Sequence, residues 1–194
     1  MTSPASRSVG IYIHVPFCVR KCLYCDFCSF PGQNEDVLAA YAARIRAELT
    51  AVLPRLRGRP VDTVYFGGGT PTLFTPRQIG EVLSVITGGA ALSSAAEITM
   101  ECNPATVDVD KLTAFRRAGV NRISIGVQSL CDGELAALGR LHSANDAVQT
   151  LADAETAGFT NRSVDLMFGI PDQTEESFYN TLKYLVALGP EHIS

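Results

Sequence analysis

The sequence predicts an α/β fold in which parallel strands and helices alternate around a partly wound barrel. Short β-branched runs alternate with longer helix-like stretches, and turn residues lie between them. Successive strand candidates are separated by roughly 30 residues, the size of one βαβ unit. Because each helical crossover returns the chain to the same end of the sheet, this alternation predicts parallel strands.

Five strand candidates follow one another along the chain. They are Gly10–Val15, Val61–Phe66, Glu97–Cys102, Asn121–Val127 and Arg162–Phe168. The helix candidates that follow them in turn are Asp36–Leu53, Pro76–Ile86, Asp108–Ala118, Asn145–Ala157 and Glu175–Leu188. Three of these helices are expected to end before a glycine, at Gly119, Gly158 and Gly189.

The last residues, Glu191 to Ser194, resemble the opening of a sixth strand. A partly wound barrel with an unpaired edge strand is an unfavourable end for a domain. We therefore expect residues 1–194 to form the N-terminal part of one barrel domain, truncated at the start of the sixth strand. The C-terminal end of the barrel and a following domain are expected outside this sequence.

Charge and hydropathy exclude several classes of partner. The net charge is −4 and there is no Lys/Arg run, so a nucleic acid is not expected to bind. No stretch approaches the roughly 18 apolar residues of a membrane span. The first residues also lack the apolar segment of a signal peptide. These features predict a cytoplasmic protein with no transmembrane segment.

Four of the six cysteines lie between Cys18 and Cys28. In a chain without an export signal, such thiols are more typical of metal ligands, catalytic groups or free thiols than of disulfides. Cys18, Cys22 and Cys25 have the spacing C-x3-C-x2-C on one short loop. This spacing suits three corners of a [4Fe–4S] cubane and leaves one iron without a protein ligand.

Zinc and a reactive thiol loop are the less favoured alternatives for these cysteines. Structural zinc sites usually take their ligands from two pairs that are separated in sequence. Cys28 is not expected to be a ligand, since a fourth protein thiolate would occupy the open iron.

Three strand-associated features have ordinary structural interpretations as well as functional ones. The run from Gly67 to Thr70 follows a strand and allows the backbone to approach a ligand, although a simple turn fits equally well. Glu101 and Asp165 lie in or next to apolar strands, where a carboxylate needs a partner. From the residues alone, a salt bridge is slightly favoured over a ligand contact. His14 is expected to be a hydrogen-bonded core residue.

Six phrases in order along the chain carry a resemblance to a known family. They are YIHVPFC, YFGGGTPT, ECNP, GVNRISIGVQS, LGRLHS and VDLMFGIPDQT. Together with C-x3-C-x2-C and the aromatic Tyr24 before Cys25, they resemble the radical S-adenosylmethionine (SAM) superfamily. Within it, the chain is similar to the family of HemW heme chaperones and oxygen-independent coproporphyrinogen III oxidases. The resemblance implies a (β/α)6-type radical SAM barrel with its site at the carboxyl ends of the strands.

The resemblance also implies cofactors, site residues and partners. The cofactors are a [4Fe–4S] cluster, SAM at its open iron and, in the chaperone branch, heme. The positions that match SAM-binding residues of the family are Tyr12, Tyr24, Gly68, Gly69, Thr70, Glu101, Gln128, Arg140 and Asp165. The implied partners are heme or a porphyrin, an electron donor such as flavodoxin or ferredoxin, and heme-acceptor proteins.

Two functions of different class fit this family. The enzyme decarboxylates the propionates of coproporphyrinogen III, whereas the HemW branch carries heme to respiratory proteins. The oxidases resemble C-x3-C-x2-C-x-C, but this chain has Phe27 at the last position and its extra thiol at Cys28. They also carry a long extension before the first strand, where this chain has only Met1 to Val9. Both differences favour the chaperone. A radical SAM enzyme that acts on RNA fits the acidic charge poorly.

Overall fold

The computed structural model describes residues 7–194, so Met1–Ser6, with which the expected domain begins, lie outside the described residues. Six strands form one sheet in which every neighbouring pair is parallel. In sheet order they are β1 (Val9–Val15), β4 (Pro60–Gly68), β5 (Ala91–Cys102), β6 (Arg122–Gln128), β7 (Arg162–Leu166) and β8 (His192–Ile193). The order follows the chain, which confirms the predicted parallel α/β architecture with a short sixth strand.

Helices connect successive strands of this sheet. They are α1 (Glu35–Val52), α2 (Pro76–Gly89), α3 (Val109–Ala118), α4 (Asp132–Ala137), α5 (Ala144–Thr156) and α6 (Glu175–Leu188). Five of them begin at a side chain that accepts a hydrogen bond from the first turn: Asn34, Thr75, Asp108, Ser143 and Thr174. Gly119 and Gly189 end α3 and α6 in the left-handed conformation that glycine favours.

The sheet has two chemically different faces, because alternate side chains of a strand point to opposite sides. One face packs against the helices and is apolar. Phe66, Ile123, Ile125 and Val164 on this face are fully buried. The alternate positions of the same strands carry polar side chains such as Glu101. The helix-facing side therefore forms the core, and the other side is available for a polar ligand.

The structure contains elements that the sequence did not predict. β5 begins at Ala91 rather than Glu97, because Ala91 and Leu92 pair with the start of β4 at Pro60 and Val61. Two short strands, β2 (Phe17–Cys18) and β3 (Phe30–Pro31), pair in a second sheet beside the first. Helix α4 is too short for an apolar period to be recognised. No helix within residues 7–194 has the length and apolarity that a bilayer crossing requires.

Candidate functional site

Cys18, Cys22 and Cys25 lie on a loop that begins at β2 and returns at β3. Cys18 is the last residue of β2, and the Cys25 N–H donates to the Cys22 carbonyl at 3.2 Å, which closes a turn. All three cysteines are half-buried and line one cavity of about 420 Å³. The predicted ligand set therefore faces a common space.

Cys28 is placed differently from these three cysteines. It is exposed and does not line the cavity. Phe27 lines the cavity instead, with 65% of its surface exposed. The exclusion of Cys28 from the ligand set stays a prediction, and its position apart from the cavity is compatible with it.

The cysteine loop is anchored to the chain segment that follows α4. The Leu23 N–H donates to the Leu138 carbonyl at 3.0 Å, and Arg20 Nη2 donates to the Gly139 carbonyl at 2.6 Å. Gly139 has φ +70°, and a Cβ there would lie 2.8 Å from Leu23 Cγ. Glycine is favoured at this position, since a side chain would be strained at this backbone angle and would displace Leu23.

The glycines that end β4 bring the backbone directly beneath the cysteine loop. The Gly69 N–H donates to the Val15 carbonyl at 2.8 Å. A Cβ on Gly69 would lie 2.5 Å from the Phe17 carbonyl oxygen and 3.0 Å from Cys18 Sγ. Gly68 has φ +115°, a conformation that other residues rarely adopt. The glycine run is thus more than a simple turn, because its close approach to Cys18 depends on the missing side chain.

Glu101 holds the Gly68 backbone in place. Its Oε2 accepts a hydrogen bond from the Gly68 N–H at 2.9 Å, and its Oε1 accepts one from the Tyr65 hydroxyl at 2.8 Å. Burial and then the Glu101 charge raise the pKa of Tyr65, so the phenol remains a donor at neutral pH. Glu101 takes part in no ion pair within residues 7–194, and the salt-bridge alternative is wrong for it.

Asp165 and Gln128 line the same cavity from the ends of β7 and β6. The Ser124 hydroxyl lies 3.3 Å from each carboxylate oxygen of Asp165. Burial raises the pKa of Asp165, and this hydroxyl partly offsets the effect. Asp165 also has no ion pair among the described residues, so the salt-bridge alternative fails here too. Gln128 ends its strand at φ 65°, in the left-handed region.

Arg140 places its guanidinium beside the cysteine loop. Its Nη2 donates to Asn103 Oδ1 and to the Gly126 carbonyl, both at 2.7 Å. Its Nη1 lies 3.6 Å from Cys22 Sγ and 3.5 Å from the Tyr24 hydroxyl. The predicted residues Arg140 and Tyr24 are thereby brought together with one of the three predicted ligands.

Tyr12 and Thr70 are the two predicted SAM-binding residues outside the cavity lining. Tyr12 is 59% exposed, stacks on Tyr65 with ring centroids 6.0 Å apart, and places its hydroxyl 2.9 Å from His14 Nδ1. Thr70 is buried behind Cys18. Burial raises the pKa of Cys18, and hydrogen bonding to the Thr70 hydroxyl partly offsets this. SAM binding by both residues stays a prediction.

The two remaining histidines have partners that the sequence analysis did not identify. His142 is buried, and its Nε2 lies 3.2 Å from the Val127 carbonyl. Burial and then the nearby Arg140 charge lower the pKa of His142 to about 4, so the ring is neutral at pH 7. His192 Nδ1 lies 2.8 Å from the Ser163 hydroxyl.

Asn103, Ser124 and Gly126 are site residues that the sequence analysis did not single out. All three line the cavity. A signal for them exists in the sequence, because they lie two or four residues from predicted site residues on the same strand or at its end. Asn103 follows Glu101 by two positions, and Ser124, Gly126 and Gln128 alternate along β6. Side chains at such spacing share one face of a sheet.

The chemistry of the cavity fits a cluster with a polar ligand. Two buried side-chain polar atoms within residues 7–194 lack a hydrogen-bond partner, Ser29 Oγ and Arg140 Nε. Both residues line the cavity, so a bound group could satisfy them. In the described part of the chain, no three Cys, His, Asp or Glu side chains meet closely enough to share a single metal ion. A cubane instead distributes its thiolates over different irons. The zinc alternative therefore receives no support from this geometry.

Comparison with known proteins assigns the fold and the cysteine loop to a family. The family model described as the radical SAM superfamily matches residues 12–185. The chain belongs to the radical SAM superfamily. Membership in this superfamily implies a [4Fe–4S] cluster and SAM, in agreement with the chemistry expected from the cysteine spacing.

The curated relatives of this radical SAM chain include heme chaperones and a mitochondrial protein. It is 39% identical over 186 residues to the heme chaperone HemW of Escherichia coli, covering 96% of this chain and 49% of that protein. It is 41% identical over 193 residues to the radical S-adenosyl methionine domain-containing protein 1, mitochondrial, of Bos taurus, covering 99% of this chain and 43% of that protein. The chain thus spans about half the length of these relatives.

Solved structures agree with the fold. The coproporphyrinogen III oxidase HemN of Escherichia coli, described as a radical SAM enzyme, superposes with a TM-score of 0.88 at 29% identity. The match covers 99% of this chain and 45% of the HemN chain. The radical SAM methyltransferase TsrM of Kitasatospora setae superposes with a TM-score of 0.69 at 15% identity, over 97% of this chain and 36% of that chain. The second likeness is one of fold alone.

Proposed function

We propose that this chain is part of a HemW-like heme chaperone that binds a [4Fe–4S] cluster and SAM and delivers heme to respiratory proteins. The observation that carries the choice of this branch is Phe27, which occupies the position where the oxidase pattern has a further cysteine. The identity to a HemW chaperone, 39%, also exceeds the identity to HemN, 29%.

Cys18, Cys22 and Cys25 would hold the cluster, which when bound supplies the electron that cleaves the sulfonium C–S bond of SAM. The protein contributes position and shielding. Half-burial of the three thiols against the end of β4 limits the access of water to their sulfurs.

The groups around the cavity are suited to the polar ends of SAM. Arg140 Nε is a buried donor that has no hydrogen-bond partner among residues 7–194, and a guanidinium matches a carboxylate well. Asp165 and Glu101 are acceptors for the ammonium or the ribose hydroxyls of SAM. Tyr24 lies on the cysteine loop and offers an aromatic face to the adenine.

The second candidate function is that of a coproporphyrinogen III dehydrogenase. The observation that favours it is the TM-score of 0.88 to HemN, whose name states that it is a coproporphyrinogen III oxidase. The same barrel and cluster are compatible with either function. The two functions are therefore distinguished by what the protein binds or converts, not by the cluster.

The remaining parts of the proposal concern the whole protein. We place residues 1–194 in the N-terminal part of a radical SAM core domain, with the remainder of the barrel and a further domain in the rest of the protein. An electron donor such as flavodoxin or ferredoxin would supply electrons to the cluster, and respiratory proteins would accept the heme. A cytoplasmic location is part of the proposal for a bacterial protein, whereas the relatives from Bos taurus, Mus musculus and Danio rerio carry a mitochondrial name.

The cluster is tested by a pair of cysteine variants. Cys22→Ala should abolish the brown ~400 nm absorption of thiolate-ligated iron after anaerobic reconstitution. Cys28→Ala is the matched control, because this exposed thiol follows the predicted ligand Cys25 by three residues but does not line the cavity. Bleaching by Cys28→Ala, or zinc in place of iron in the wild-type protein, would show that the ligand assignment is wrong.

The choice between chaperone and enzyme is tested on the full-length protein that contains this chain. Purified protein with its cluster should bind heme in a spectroscopic titration and transfer it to a heme-free acceptor. The same preparation, supplied with SAM, a reductant and coproporphyrinogen III, should release no decarboxylated product. Turnover of the porphyrinogen without heme binding would establish the second function instead.

A further inference from the structure

The Asn103 side chain connects Thr70 to Arg140, the residue whose guanidinium lies beside the predicted cluster ligand Cys22. Its Oδ1 accepts a hydrogen bond from Arg140 Nη2 at 2.7 Å, and its Nδ2 donates one to Thr70 Oγ1 at 2.8 Å. The orientation of the amide is determined by its partners. A guanidinium has only donors, so the amide oxygen must face Arg140 and the amide nitrogen must face Thr70.

Arg140 is the partner through which Asn103 acts on a predicted ligand. Arg140 Nη1 lies 3.6 Å from Cys22 Sγ. Thr70, the other partner, follows Gly69, where an added Cβ would lie 3.0 Å from Cys18 Sγ. One amide therefore fixes the donor beside Cys22 and is itself held by the segment that passes close to Cys18.

The surroundings of Asn103 keep this arrangement in one conformation. The Asn103 carbonyl accepts from the Thr106 hydroxyl at 2.6 Å and from the Thr106 N–H at 3.2 Å, which fixes the backbone. A Cβ on Gly126 would lie 3.3 Å from both Asn103 Oδ1 and Arg140 Nη2. The glycine thus provides the space in which the amide and the guanidinium meet.

We infer that Asn103, itself held by Thr70, is a positioning residue that keeps Arg140 against Cys22 and thereby sets the reduction potential of the cluster and its affinity for SAM. Hydrogen bonds to ligating sulfurs are among the factors that determine cluster potentials. Donors near the sulfurs stabilise the additional negative charge of the reduced cluster, so they raise the potential. The inference rests on the proposed function, since it requires a cluster on the three thiolates.

The test compares Asn103→Ala with Asn121→Ala in the full-length, reconstituted protein. Asn121 is a matched control because its amide also makes two hydrogen bonds across strands, to the Ile98 N–H at 2.7 Å and the Ala96 carbonyl at 2.8 Å. It precedes β6 and therefore lies at the amino ends of the strands, whereas the cavity lies at their carboxyl ends. Iron and sulfide content, thermal unfolding, SAM affinity and the cluster potential in an EPR-monitored redox titration are measured for each protein.

Asn103→Ala should keep its iron and sulfide, shift the potential downward and weaken SAM binding about 10-fold or more. Asn121→Ala should lower the unfolding temperature without changing either property. Thr70→Val removes one of the two connections and should also lower the potential, whereas Thr70→Ser keeps the hydroxyl and should restore it. This second pair provides the measurement if Asn103→Ala does not retain a cluster.

Unchanged potential and SAM affinity in Asn103→Ala or in Thr70→Val, with the cluster intact, would overturn the inference alone. A wild-type protein that assembles no cluster would overturn the proposed function and this inference with it. The two failures are distinguished by the iron content of the wild-type protein.

Discussion

Single atoms decide how closely the backbone approaches the cysteine loop. Gly69 lies so near the Phe17 carbonyl that a methyl group cannot be accommodated without moving the backbone. Glu101 then fixes the neighbouring Gly68 through its N–H. The missing side chain of Gly69 allows the end of β4 to approach Cys18, and the Glu101 carboxylate holds it there.

Gly69→Ala should therefore prevent cluster assembly. A Cβ would lie 2.5 Å from the Phe17 carbonyl oxygen, so β2 and the Cys18 thiol must shift. Gly88→Ala in α2 is the control, because nothing lies within 4 Å of its added Cβ and alanine favours a helix by about 1 kcal/mol. Iron content after reconstitution measures the effect. A normal iron content in Gly69→Ala would contradict the argument.

Helices α4 and α6 are joined to the end of β6 by one buried carboxylate. Glu134 in α4 accepts hydrogen bonds from the Ser129 hydroxyl at 2.6 Å, the Ser177 hydroxyl at 2.5 Å and Gln173 Nε2 at 3.0 Å. Burial raises the pKa of Glu134, but these three hydrogen bonds outweigh it and lower the pKa overall. The short helix that carries Gly139 toward the cysteine loop is thereby fixed to the rest of the molecule.

Glu134→Gln should destabilise the protein by about 1.5–3 kcal/mol at pH 7, because hydrogen bonds to a buried charge are lost. The folded pKa is lowered, so the stabilising contribution is present above the ordinary glutamate pKa and is lost as pH falls through the lowered value. Urea unfolding at several pH values should show the variant and the wild type converging in acid. Glu176→Gln, an exposed change in the first turn of α6, should cost less than about 1 kcal/mol. A pH-independent difference for Glu134→Gln would contradict the argument.

The whole molecule divides stability and function between the two faces of its sheet. On the helix-facing side, Phe66, Ile123, Ile125 and Val164 are apolar and fully buried. The opposite face carries Tyr65, Glu101, Ser124 and Asp165, which hydrogen-bond to one another in pairs. Because the strands are parallel, their carboxyl ends lie together. The polar face meets the cysteine loop at these ends.

Two neighbouring residues of β6 test this division. Ile125→Ala on the helix-facing side should cost about 2–5 kcal/mol, because a fully buried side chain leaves a cavity. Ser124→Ala on the other side should cost only about 1 kcal/mol but should weaken SAM binding, since Asp165 loses its hydroxyl partner. Chemical unfolding and a SAM titration on both variants measure the two effects. Equal losses of stability, or unaffected SAM binding in Ser124→Ala, would be the opposite result.

The sequence predicts the α/β class, the strand order and the helix boundaries because these follow from local patterns. Alternating βα units require parallel strands, and caps such as Thr75 and Gly119 act within a single turn. The start of β5 is not predicted, since Ala91 and Leu92 belong to the strand through their pairing with Pro60 and Val61 of β4, and the register shifts before Glu97. Helix α4 is likewise stabilised by distant partners of Glu134 rather than by its own periodicity.

Local patterns in the sequence are sufficient for the class of fold and the three candidate cluster ligands, because spacing along one loop and order along the strands are local properties. The other predicted residues of the cavity came from the family resemblance. Which atoms meet depends on the folded molecule. Asn103 joins Thr70, 33 residues before it in the chain, to Arg140, 37 residues after it. The carboxylates of Glu101 and Asp165 pair with hydroxyls rather than with cations. Such contacts depend on the register between strands, which no short segment of the chain specifies.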